Sequence, residues 1–263
     1  MPPSEAGLVR RTIWLLRTVA AHPEGVGLSD IARESGIPKA TCYRVLTVLE
    51  RESWLTLDPV TRRYRVSLGL LSIVGGLLDG GGSYGHMREV VRQLASDTKE
   101  TAGFDVLLAP QVMVVAQTQG PSLIGQTPKP VPRTQPVWAT STGKVLLAAL
   151  TPEEVRAEFA EEFTKHAPKQ LGSFADFIDS LDEVRERGYA FSVDELETGA
   201  ASVAAPVRVR DATPYAVWIG GPSYRLTPEA ITDLAETVRK AARQLGDLLS
   251  VSDLELPSAL TGR

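Results

Sequence analysis

The chain has a single cysteine, Cys42, among its 263 residues, so no intramolecular disulfide can form. It has three histidines, His22, His86 and His166. None shares a metal-ligand spacing with another or with a cysteine pair. No metal and no cofactor is therefore expected. No apolar run reaches the roughly 18 residues that a membrane-spanning helix needs, and no basic, apolar, small-residue pattern opens the chain as a secretory signal would. These absences predict a cytoplasmic protein that makes no membrane contact. Enzyme signatures are also incomplete. Gly81-Gly82-Ser83-Tyr84-Gly85 matches G-x-S-x-G in letters, but a nucleophile elbow requires a strand before it, and here a helical pattern precedes it. Gly143-Lys144 has Trp138 where a P-loop needs its first glycine and Val145 where it needs Ser or Thr. No internal repeat is present.

Positive charge is also scarce overall, with a net charge of −4. It is unevenly placed. Residues 1–66 hold ten Lys/Arg and seven Asp/Glu, a net +3 against −7 for the rest. A basic head on an acidic body suits a phosphate-binding module joined to a domain that does not bind phosphate.

Within that head, residues 4–22 have helical spacing. Leu8, Thr12, Leu15 and Val19 form one stripe and Ile13, Leu16 and Ala20 a second, ended by Pro23 and Gly25. A short helix is expected over 28–35, a turn at Gly36, and a third helix from Pro38 to about Glu52. In this third helix Cys42, Val45, Leu46 and Leu49 share one face, so Cys42 is expected in the core. Lys39, Ala40, Thr41, Tyr43, Arg44 and Thr47 remain to meet phosphates and base edges. Strands at 54–57 and 63–66 form a hairpin bearing Arg62, Arg63 and Arg65. Helix, turn, recognition helix and basic hairpin in this order describe a winged helix-turn-helix on double-stranded DNA.

Residues 67–83 are expected to be a linker, an over-apolar helix (Leu68 to Leu78) followed by a glycine-rich break. Residues 84–252 form a second domain and 253–263 a tail. The second domain mixes helices (86–99, 142–150, after Thr151, 173–187, 227–249) with strands (104–108, 112–117, 189–193, 203–210, 215–219). A proline-rich loop crosses Pro128, Pro130, Pro132 and Pro136. The fold class is α+β, with an antiparallel sheet in the second domain.

Leu28 to Leu46, with the run Leu-Ser-Asp-Ile-Ala-Arg-Glu-Ser-Gly-Ile-Pro-Lys-Ala-Thr-Cys-Tyr-Arg-Val-Leu, resembles the helix-turn-helix of the IclR family of bacterial regulators. Ala139-Thr-Ser-Thr-Gly-Lys-Val-Leu-Leu-Ala, Arg185-Glu-Arg-Gly-Tyr-Ala, Glu197-Thr-Gly and Ala204-Ala-Pro-Val resemble its effector domain. The resemblance covers about residues 8–249. It implies a linker helix, a GAF/PAS-like α+β effector-binding domain, a homodimer or homotetramer, palindromic operators and a small organic acid as effector. It also implies a cup lined by Ser141 and Thr142, by Ser192, Asp194 and Ser202, and by the last strand. Ser141 either faces the ligand at a helix N-terminus, where free N–H groups suit a carboxylate, or caps that helix. In the last strand the family often shows two serines, whereas this chain has Trp218 and Gly220. An indole there suits a flat aromatic ligand, with Phe104 as a second wall. The other functional expectation is a sensor that acts through protein–protein contacts and binds DNA weakly.

Overall fold

The computed structural model describes residues 5–71, 73, 82–122, 125, 129–166 and 172–251. The chain divides into two compact units at residues 79 and 80.

In the first unit the order is α1 (Glu5–Ala20), β1 (Val26–Gly27), α2 (Leu28–Ser35), α3 (Lys39–Arg51), β2 (Leu55–Leu57) and β3 (Arg63–Val66). The strands form an antiparallel sheet in the order β1-β3-β2. Leu15 and Val19 of α1, Ile31 of α2, Cys42, Leu46 and Leu49 of α3, and Tyr64 of β3 make its core. Gly36 ends α2 at φ +66°, a left-handed conformation that glycine adopts without a Cβ penalty. Pro38 is the N-cap of α3 (φ −52°, ψ 133°), so the helix starts one residue later than the sequence suggests. A 3-10 turn, Leu68–Leu70, follows the sheet. Most of the expected linker helix, residues 72 and 74–81, lies outside the described residues, as does the expected tail.

The second unit contains α4 (Ser83–Thr98), β4 (Thr101–Leu108), β5 (Gln111–Thr118), β6 (Arg133–Pro136), α5 (Ser141–Ala148), α6 (Pro152–His166), α7 (Phe174–Arg187), β7 (Ala190–Val193), β8 (Ala200–Val209), β9 (Ala212–Pro222) and α8 (Pro228–Ser250). Its six strands pair antiparallel in the order β6-β5-β4-β9-β8-β7. The central strands are buried on both faces because helices cover each side. Along β9, Tyr215, Val217 and Ile219 meet the side chains of α4 and α8. Ala216 and Trp218 point the other way, toward α5 and α7. Trp138 anchors that second layer, with its ring edge-on to Phe159, Phe163 and Phe177.

The helix starts follow local chemistry. Thr151 and Glu154 exchange the two hydrogen bonds of a capping box before α6. Ser173 and Asp176 do the same for α7, which stops at left-handed Gly188. Thr227 caps α8, with proline at its first position. β6 lies inside what the prolines predict to be loop. It is an edge strand, and its Pro136 stands at the end, where a missing N–H costs no ladder bond.

Candidate nucleic-acid face and effector cavity

α3 buries one face and presents the other. Cys42, Val45, Leu46 and Leu49 are buried, while Lys39, Ala40, Tyr43 and Arg44 are exposed and Thr41 and Thr47 lie half-buried at the flanks. Lys39 Nζ donates to Ser29 Oγ at 2.8 Å, tying the start of α3 to α2. Arg62 and Arg63 are exposed beside this helix, and with Lys39, Tyr43 and Ser29 they line a groove between α2, α3 and the β2–β3 hairpin. The hairpin is held from inside: Asp58 Oδ1 accepts from the backbone N–H groups of Val60 (2.9 Å) and Thr61 (2.8 Å), which hold its carboxyl below the usual range. Arg63 and Arg65 also brace the segment before β1, donating to the carbonyls of Gly25 (2.9 Å) and Glu24 (2.8 Å). β1 itself was not evident in the sequence, because two residues carry no periodicity.

The second unit holds a cavity of about 240 Å³ between α5, the sheet and the β7–β8 turn. Five residues expected at the effector site line it: Ser141, Thr142, Ser192, Ser202 and Trp218. Thr140, not Ser141, caps α5, with its Oγ1 accepting from Gly143 N at 3.1 Å. Ser141 is thereby free to meet Ser202 Oγ at 2.8 Å. Ser192 Oγ donates to Ala139 O at 3.1 Å. Gly143 lets α5 press onto the segment before it, since a Cβ there would stand 1.9 Å from Val137 O.

Three expected residues are placed elsewhere. Phe104 faces α4 and α8, with its ring 5.2 Å from Tyr215, because strand alternation aims its neighbours Gly103 and Asp105 at the other side. Gly220 is buried in the ladder opposite Ser202 and Thr101. Asp194 is exposed at φ +57° and accepts from Gly199 N at 2.6 Å, so it shapes the turn rather than lining the cavity. Lys144 fastens that turn to α5 through Glu195 (2.6 Å) and Phe191 O (3.2 Å).

The cavity also contains charges that were not anticipated. Asp105 on β4 is 0% exposed, and its Oδ1 accepts from Trp218 Nε1 at 2.6 Å. Gly103 makes room for this contact, because a Cβ there would lie 2.4 Å from the indole. Burial pushes the Asp105 carboxyl up to about 7, against the pull of the Trp218 N–H, Thr142 and the charge of Arg133. Arg133 on β6 lines the same cavity, as do Lys129 and Gln135. Burial lowers its pKa, and Asp105 opposes that. An ionisable residue inside the apolar run Phe104 to Leu108 was the available signal for Asp105. Arg133 gave none, since it lay among prolines.

Comparison with known proteins finds a match for each unit. Residues 8–59 match the family model of the IclR helix-turn-helix domain, and residues 84–247 that of the bacterial transcriptional regulator IclR C-terminal domain. The chain belongs to the IclR family of bacterial transcription regulators. It is 30% identical over 247 residues to the glycerol operon regulatory protein of Streptomyces coelicolor, covering 90% of this chain and 96% of that protein. A solved IclR transcriptional regulator from Silicibacter sp. TM1040 is 25% identical with a TM-score of 0.83, covering 95% of this chain and 100% of that one. An IclR homologue from Microbacterium hydrocarbonoxydans, solved with 4-hydroxybenzoate, shares the fold at 21% identity and a TM-score of 0.70, covering 93% and 100%. As an IclR-family member this chain is a regulator and not an enzyme, which disposes of the G-x-S-x-G match. Its Ser83 opens α4 behind an N-cap at Gly82. Among the described residues no helix is long and apolar enough to cross a membrane.

Proposed function

We propose that this IclR-family chain is a ligand-responsive regulator that binds palindromic operator DNA through α3 and the basic hairpin. In this reading the cavity behind α5 takes a small organic acid of aromatic type. The observation that carries the DNA reading is the polar face of α3. Lys39, Tyr43 and Arg44 stand exposed beside Arg62 and Arg63, while the opposite face is closed in the core. Such a helix can enter a major groove while the hairpin meets phosphate. For the ligand, Trp218 supplies a flat wall to the cavity. Phe104 supplies none, so the aromatic reading rests on Trp218 and on the aromatic acid bound by the Microbacterium homologue. A homo-oligomer, dimer or tetramer, fits the row Leu8, Val9, Ile13 and Trp14 that α1 leaves exposed.

Fluorescence anisotropy on duplex DNA from the region upstream of the chain's own gene tests this reading. Lys39→Ala and Arg44→Ala are each expected to weaken binding by about 1–3 kcal/mol. The wild-type affinity should fall steeply with salt as phosphate contacts release counterions. Unmeasurable wild-type binding at low salt would favour control by protein–protein contact instead.

A further inference from the structure

The cavity has two polar atoms that the fold itself leaves unsatisfied. Among the described residues, Asp105 Oδ2 and Arg133 Nη1 are both buried and make no hydrogen bond of normal geometry, and the Thr142 hydroxyl pulls on the Asp105 carboxyl without closing one to Oδ2. Both residues line the cavity. Such atoms are costly to bury and are uncommon in folded proteins. Their placement is systematic. Asp105 pairs with Val114, and Val114 pairs with Arg133, so the three stand in one row across β4, β5 and β6 and present their side chains to one face. Two strand spacings place the Asp105 and Arg133 backbones about 10 Å apart. Arg133 can cover part of that distance with its long side chain, whereas the short Asp105 side chain is fixed by Trp218.

The two sides of the cavity differ in charge. Lys129 joins Arg133 on the β6 side. The rim carboxylate Glu197 lies on the β7–β8 turn, at the opposite end of the sheet order. An anionic group is therefore drawn to Arg133 and Lys129 and repelled from the other end. At Asp105 the ligand must offer a group that hydrogen-bonds a buried carboxyl. A hydroxyl does so in either protonation state, donating to the carboxylate or accepting from the acid.

Building on the effector reading above, we infer that the cavity selects a hydroxy acid, with the carboxylate paired to Arg133 and the hydroxyl hydrogen-bonded to Asp105 Oδ2. Asp105 and Arg133 are then the residues that set specificity. A ligand with only a carboxylate would leave Oδ2 unsatisfied. A neutral hydroxylated ligand would leave Arg133 so.

Titration calorimetry on the full chain with matched probes tests this. The probes are 4-hydroxybenzoate, benzoate and 4-hydroxybenzamide, with 3-hydroxybutyrate and butyrate as an aliphatic pair. At least one hydroxy acid is expected to bind, and to bind about tenfold or more tighter than its deoxy partner. Asp105→Ala should shrink that ratio to about threefold or less. Arg133→Met should weaken the hydroxy acid about tenfold without affecting the amide. Circular dichroism confirms that each variant is folded, and the wild-type ratio stands even where one is not. Equal binding of hydroxy and deoxy acids to the wild type would overturn the assignment while leaving the cavity an acid site. So would a ratio that survives Asp105→Ala. Failure of every acid to bind would overturn the effector reading itself and this inference with it.

Discussion

At the scale of single residues, Asp105 couples stability to pH. Its carboxyl is held near 7 by burial, against an ordinary value of 3.8. Below pH ~4 it is protonated in both folded and unfolded chains and has no effect. Between ~4 and ~7 the folded chain retains a proton that the unfolded chain has released, so stability falls as pH rises. Above ~7 both forms are ionised and the loss levels off, on the order of 4 kcal/mol in total. Asp105→Asn keeps an acceptor for Trp218 Nε1 and removes the titration. Urea unfolding followed by circular dichroism should show the variant gaining on the wild type from pH ~4 to ~7 and holding its lead above that. A difference that does not change with pH would contradict the assignment. The cavity serines were legible only through the resemblance to the IclR effector domain, since Ser192 and Ser202 sit on strands and carry no local signal of their own. The sequence misplaced Phe104 because one step along a strand reverses the face, and nothing local fixes that parity.

At the scale of elements, α5 is the piece that places Ser141 and Thr142 at the cavity. Its N-terminus depends on Thr140, buried at 6% exposure and bonded to Gly143 N. Thr140→Ala is expected to cost about 1 kcal/mol as a lost cap and also to loosen Ser141 and Thr142. Ser141→Ala should leave the cap intact and cost less. Parallel urea titrations of the two variants check the order, and equal losses would show that Thr140 is not the cap in solution. Most elements were legible because their ends carry chemistry: Thr151 with Glu154, Gly188, and Thr227 before Pro228. β6 was not. Prolines dominate its surroundings, and a four-residue edge strand that alternates half-buried with exposed side chains has little apolar signal. That one miss concealed Arg133 and hence half of the cavity's charge pattern.

At the scale of the whole molecule, the charge split and the two units describe one division of labour. The unit with excess positive charge holds the exposed face of α3, and the acidic unit holds the cavity. Family membership joins these parts into a regulator, and occupancy of the cavity is expected to change DNA binding. Linkage requires the ligand to shift DNA affinity by the same factor that DNA shifts ligand affinity. The most direct measurement is anisotropy of the upstream duplex with the full chain, with and without a saturating hydroxy acid that calorimetry has shown to bind. DNA affinity is expected to change by about fivefold or more, in either direction, and Arg133→Met is expected to lose that change. An unchanged affinity at saturating ligand would contradict that coupling.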